Sequence, residues 1–213
     1  MHYRIADGHP LPHNPFKAIV APRPIGWISS VDAAGRVNLA PYSFFNGIAD
    51  DPPMVMFSSL GRKVGRDEAK DSVSNIEATG EFVVNAADWA LRDAMNVSSG
   101  GYAAEEDEFE LAGLEKAGSL EVRPPRVAAA PAALECVLDR IVELPASAAG
   151  LPNRMVIGRV VAVHIRDDAL TDGMFDIAKA RLIARCGYRD YLSVDSLFQM
   201  TRPKGGDREA LGS

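Results

Sequence analysis

The chain has 213 residues, enough for one domain with a sizeable core, and its 47% hydrophobic and 24% charged composition is ordinary for a globular protein. A net charge of −6 and an isoelectric point near 5.3 argue against nucleic acid or an anionic membrane as partner. The N-terminal stretch lacks an apolar signal core and no run reaches the ~18 apolar residues of a membrane span, so a cytoplasmic soluble protein is expected.

Residues 1–16, rich in Pro and His, predict an extended arm. Ile19–Val20 and Ile25–Val31 read as strand, with Trp27 as a core residue. Asp32-Ala33-Ala34-Gly35 supplies hairpin chemistry, Gly35 being free to take a positive φ, and Val37–Ala40 returns as the partner strand. Pro52-Pro53 introduces a further strand, Met54–Ser59. A polar loop over 60–69 precedes a helix that Asp71 or Ser72 can cap, with Val73 and Ile76 on one face and Gly80 as its stop. Glu81–Ala86 is strand again, and Asp88 can cap a second helix over WALRDAMNVSS.

The acidic run Glu105, Glu106, Asp107, Glu108 and Glu110 reads as a solvated face anchored by Phe109, or as a lid that keeps anions out. Two long β-type runs, Leu134–Leu144 and Met155–Ile165, follow Pro124-Pro125. A last ordered block spans 182–198, and the tail from 204 to 213 is expected to be flexible. With no repeat, low-complexity linker or charge break, the pattern predicts a single domain over 1–213. Its class is mainly β, a β-barrel with helical insertions, rather than alternating βαβ units.

Several chemistries lack their motif. There is no GxGxxG, no GxxxxGK[ST] and no GxSxG. The four histidines lack metal-ligand spacing: His2, His9 and His13 fall in the arm, and His164 lies mid-strand. Cys136 and Cys186 are far apart and read as reduced, buried thiols.

Two stretches carry ligand chemistry instead. Ser58-Ser59, Arg62-Lys63 and Lys70-Asp71-Ser72 combine a strand end, basic side chains and a helix N-terminus, which together suit a phosphate. Taken alone, a solvated basic loop before a capped helix is the simpler account, and Asp71 fits a cap better than a phosphate ligand. In NLAPYSFFNG, Pro41 removes a ladder donor and forces an edge or a bend, while Asn38, Ser43 and Asn46 offer polar groups to a flat ring with carbonyl edges. A hydrogen-bonded bulge with buried aromatics explains that stretch equally well.

PRPIGWISS, VNLAPYSFFNGIADDPPMVMFSS, KDSVSNIEATGEFVVN, DEFELAGL, PAALECVL and ARCGYRDYLSVDSLFQMTRP, taken in this order, resemble the flavin reductase-like family, which has the FMN-binding split-barrel fold. The likeness runs from Asn14 to Pro203. It implies a split barrel, a homodimer and one FMN per subunit near the subunit interface. Position by position, it implies that Ser29, Ser30, Asn38, Ala40, Pro41 and Ser43 line the flavin. Ser58 and Ser59 match the phosphate–ribityl end and Lys70-Asp71-Ser72 matches the family's Lys-Asp-Thr/Ser at the helix start, with Arg62 and Lys63 of the loop able to add charge to the same phosphate. Gly187 to Tyr191 matches a C-terminal segment often written with two glycines; here Tyr188 takes the second position, which affects access to the ring face.

The activity implied is hydride transfer from NADH or NADPH to FMN, with no catalytic side chain required. The reduced flavin would serve free flavin, a partner monooxygenase or another acceptor. The competing expectations are a flavoredoxin-like electron carrier without its own NAD(P)H site, a pyridoxamine-phosphate-oxidase-like enzyme and a non-enzymatic ligand-binding barrel.

Overall fold

The structure, a computed structural model, describes residues 1–61 and 70–202. Most of the polar loop expected over 60–69, and all of the tail expected from 204, lie outside the described residues. A 3-10 turn (Ile5–Asp7), helix α1 (Phe16–Ile19) and strand β1 (Arg23–Pro24) lead into β2 (Gly26–Val31), β3 (Val37–Tyr42), β4 (Phe45–Asp50) and β5 (Pro53–Leu60). Helix α2 (Asp71–Thr79), β6 (Glu81–Ala86), α3 (Arg92–Val97), α4 (Glu108–Leu111), β7 (Lys116–Ala117) and β8 (Arg126–Val127) follow. The chain continues through β9 (Ala132–Leu144), β10 (Asn153–Ile165), β11 (Leu170–Thr171), β12 (Met174–Phe175), α5 (Ile177–Ala180), β13 (Ile183–Gly187) and β14 (Asp190–Ser193). Among the described residues no helix is long and apolar enough to cross a membrane.

The main sheet is antiparallel, in the order β3-β2-β6-β9-β10-β5-β4. Its outermost strands, β3 and β4, are separated in sequence only by Ser43 and Phe44. Three Cα steps reach at most about 11 Å, so the sheet has to roll until its two edges nearly meet. The amide of Ser58 in β5 donates to the Phe44 carbonyl at 2.8 Å and stitches the elbow. No ladder joins β3 to β4 among the described strands, so the barrel closes by a bend and keeps β3 as an open edge. A small sheet, β1-β13-β14, stands beside it.

The period of two sorts the side chains. Ile28, Tyr42, Phe57, Phe82, Cys136 and Val156 form the main cluster with Val73 and Ile76 of α2. Trp27 and Leu39 point the other way, into a second cluster with Met95 and Phe109. β2 is therefore buried on both faces. The Trp27 indole donates to Ser98 Oγ at 2.8 Å, so its polar edge is satisfied. Phe109, fully buried, anchors the acidic run as expected, at about 2–3 kcal/mol for a ring of that size.

Several local expectations change. Ile19–Val20 is not strand: Asn14 Oδ1 accepts the Phe16 amide at 2.9 Å and starts α1. The arm likewise contains a helical turn. β4 went unrecognised because Gly47 and a bulge before Ala49 interrupt its alternation. Asp88 accepts the Leu91 amide at 2.8 Å, one turn ahead of α3, so that helix begins later than the sequence suggests. The N-cap of α2 is Lys70, with no side-chain cap bond, and Asp71 is its first helical residue; Gly80 ends it at φ +74°. Both cysteines are free thiols, Cys136 buried and Cys186 half-buried.

Candidate functional site

The β3 edge, the N-terminus of α2 and residues 99–102 enclose a cleft of about 110 Å³. Its walls include Asn38, Ala40, Pro41, Lys70 and Ser72, five of the residues expected from sequence. Asn38 Nδ2 donates to Ser72 Oγ at 2.9 Å. The Tyr42 hydroxyl hydrogen-bonds with Ser72 and Ser59, and burial raises its pKa to about 12, so the phenol stays protonated. Asn38, Ser72, Tyr42 and Ser59 thus form one polar network at the floor of the cleft.

Above that floor, Lys70 Nζ lies 5.6 Å from the Tyr42 ring centroid. Burial, and then the neighbouring charge of Lys17, lower the lysine's pKa. An anion placed here would restore the charged form. Lys70 has no ion pair among the described residues, and as the N-cap of α2 its own side chain makes no cap bond. Lys70, Asp71 and Ser72 all line the cleft, so the positive end of the helix dipole lies at its wall.

A second cavity of about 320 Å³ adjoins the first, sharing Pro41 and Ser99 with it. Ser43, Gly187 and Tyr191, also expected from sequence, line this one. Gly187 has φ +115°, and a Cβ there would sit 2.7 Å from the Ala18 Cα, so only glycine lets α1 pack on β13. Tyr188, in the position where the family often has its second glycine, has φ +46°. The left-handed backbone is a physical reason for glycine there.

Four expected residues lie behind the walls. Ser29 and Ser30 are fully buried in β2: Ser29 Oγ donates to the Pro125 carbonyl at 2.6 Å, and Ser30 Oγ accepts from Asn75 at 3.2 Å. Ser59 is one hydrogen bond removed from the cleft, through Tyr42. Ser58 pairs with Met155 of β10. Arg62 and Lys63 lie outside the described residues.

Sequence reasoning missed Glu108. It belongs to the run read as a solvated face, yet it is 5% exposed and lines the cleft, while Glu105, Glu106 and Glu110 are exposed as expected. Its Oε2 accepts the Leu39 amide at 3.0 Å. Burial raises its pKa to about 7 against the pull of that bond. The contact also changes the supply of backbone donors along β3. Successive amides alternate in direction, so Leu39 and Pro41 both face the open edge. One is taken by Glu108 and the other has no N–H. Ser99, Gly100, Gly101 and Tyr102 were missed as well. The Ser-Gly-Gly run was the available signal, since it lets backbone approach a ligand closely.

A barrel rolled from one antiparallel sheet, open along β3 and carrying a polar cleft at that opening, is the split-barrel architecture. A family model described as "Flavin reductase like domain" matches residues 20–181, and the chain belongs to that family. It is 35% identical to an uncharacterised protein of Halalkalibacterium halodurans over 184 residues, covering 86% of this chain and 87% of the relative. Among solved structures it is similar to nitrilotriacetate monooxygenase component B from Bacillus cereus, with TM-score 0.79, 30% identity and coverage of 91% and 100% of the two chains. It is also similar to Pseudomonas fluorescens 2-nitrobenzoate 2-nitroreductase, with TM-score 0.81, 25% identity and coverage of 96% and 98%.

Proposed function

We propose that the chain holds FMN in the cleft between β3 and α2 and uses NADH or NADPH as hydride donor, passing the electrons to an acceptor. The observation that carries this reading is the N-terminus of the nine-residue helix α2 at the cleft wall, with half-buried Lys70, which has no ion pair among the described residues, and the Asn38–Ser72 pair beside it. Lys70 and the first-turn amides would hold the phosphate, with Arg62 and Lys63 next to them in sequence. Burial raises the Glu108 pKa to about 7, so the carboxyl is only partly ionised near neutrality, which limits its repulsion of that phosphate. Asn38, Ala40, Pro41 and Ser43 would orient the ring. When bound, FMN supplies the hydride-accepting chemistry, and the described residues around the cleft need supply only binding, orientation and exclusion of water.

A partner monooxygenase as electron acceptor is supported by the similarity to a monooxygenase component B. A homodimer is supported by an apolar hollow of about 520 Å³, lined by Pro22, Leu134, Val163, Ile165 and Phe175 among others, and by the open sheet edge. The test is an anaerobic titration of the FMN-loaded protein followed by visible absorption. Bleaching of the flavin band by NADH or NADPH is expected. A protein that takes up no FMN refutes the reading. A loaded protein that neither nucleotide bleaches is instead a flavoredoxin-like carrier.

A further inference from the structure

The second cavity gathers three cations and no acid. Lys17, Arg23 and Arg185 all line it, and none of its described lining residues is Asp or Glu, although the chain as a whole carries a net charge of −6. Arg23 is only 6% exposed. Its Nη1 donates to the backbone carbonyls of Lys17 and Val20, which ties down the turn after α1. Its Nε is buried and has no hydrogen-bond partner among the described residues. A guanidinium cannot shed its proton, and among the described residues this buried one has no ion pair and one unused donor. A purely structural role for Arg23 accounts for Nη1. It leaves Nε, and the two further cations, unexplained.

The other two are placed to act with it. Arg185 donates to the Tyr188 carbonyl and stacks 4.4 Å from the Tyr191 ring centroid, which holds its planar head against the cavity wall. Lys17 is exposed, and its charge reaches Lys70 in the neighbouring cleft. Tyr188 and Tyr191, 51% and 42% exposed, offer ring faces at the same cavity. Because Pro41 and Ser99 border both cavities, a ligand anchored here can extend a flat group over the first cleft.

We propose that this cavity is an oxyanion subsite for the second substrate, the molecule that exchanges electrons with the flavin. It is distinct from the site of the FMN phosphate at α2. This rests on the flavin reading above. Two sources share the chemistry: the carboxylate of a small aromatic acid and the pyrophosphate of the pyridine nucleotide.

The experiment compares the wild-type chain with the double variant Lys17→Gln/Arg185→Gln, which leaves the buried Arg23 in place; a thermal melt confirms that the variant folds. FMN binding is followed by flavin fluorescence, and benzoate and ADP-ribose binding by calorimetry on the FMN-loaded protein. Wild type is expected to bind one of the two probes at millimolar concentration or below, and whichever binds identifies the source. The variant is expected to bind that probe about tenfold or more weakly, as loss of a charge-assisted contact implies, with FMN affinity unchanged within about twofold. The proposal is overturned if neither probe binds, or if the variant binds as wild type does. It is also overturned if the variant loses FMN to the same extent, since the cavity would then serve the cofactor's own phosphate. A wild-type chain that takes up no FMN refutes the flavin reading, and the same two titrations on the FMN-free chain then decide the subsite separately.

Discussion

Glu108 combines a structural and an electrostatic role in one side chain. It saturates an amide on the open edge of β3 and places a carboxyl in the cleft wall. Because burial raises its pKa to about 7, the folded protein keeps a proton that the unfolded chain, near the ordinary 4.5, has already released. Stability therefore falls as pH rises from about 4.5 through 7. Urea midpoints measured across that range should show this slope in wild type and lose that component in Glu108→Gln. Lys70 presents the complementary case. Lys70→Ala should weaken FMN binding by roughly 1.5–3 kcal/mol, or about 10- to 150-fold in Kd, read by flavin fluorescence. An unchanged Kd would remove Lys70 from the phosphate site. Lys70, Asn38 and Ser72 were legible in the sequence because Lys-Asp-Ser before an amphipathic turn, and Asn before a strand-breaking Pro, are local patterns. Glu108 was not, because a carboxylate among four other acids looks solvated until the fold turns one of them inward. Nor were Lys17, Arg23 and Arg185, which meet only through β1–β13 pairing and the α1 turn.

At the scale of elements, the β2–β3 hairpin, β5, α2, β6 and the two long strands were legible, because Gly, Pro and a period-two pattern mark them. The misreadings fall where a side-chain bond or a bulge overrides the pattern, as at Asn14, Asp88 and Gly47. The segment after β7 shows how much one strand residue can organise. Glu135 of β9 is fully buried and accepts the amides of Leu120, Glu121 and Val122 at 2.7, 2.6 and 3.2 Å, with His164 of β10 on the same carboxylate. Burial pushes its pKa up, but the Leu120 and Glu121 amides and His164 outweigh that and hold it below the ordinary value. Its contribution is thus present at neutral pH and is lost as pH falls through the acid range. Glu135→Ala leaves three amides and an imidazole without their acceptor. The expected cost is on the order of 3 kcal/mol in urea unfolding, with faster proteolysis between 118 and 125. A loss within a few tenths would mean that the loop finds other partners.

For the whole molecule, the mainly β class and the rolled sheet followed from strand count and turn spacing. The expectation of a dimer came from the family resemblance and from the open edges that a split barrel leaves. The proposed dimer would cover the apolar hollow, where Val163 and Ile165 are 55% and 42% exposed. Sedimentation should give about twice the 22.9 kDa chain mass, and Val163→Glu should shift the protein toward the single chain. A wild-type mass of one chain would exclude the dimer at that concentration.

The order of strands also bears on how such a chain is made. β2 and β3 emerge from the ribosome together, as do β4 and β5; the two pairs are linked by the Ser43–Phe44 elbow, but strand pairing joins them only through β6, β9 and β10. The residues that line the cleft are all translated before residue 110, while the sheet that carries β3 is complete only near residue 165. Long-range pairing of this kind is slow and comes late. A stalled nascent chain ending at about residue 130 should therefore fail to retain FMN, although it carries Asn38, Lys70, Ser72 and Glu108, and cofactor capture becomes a report on completed synthesis.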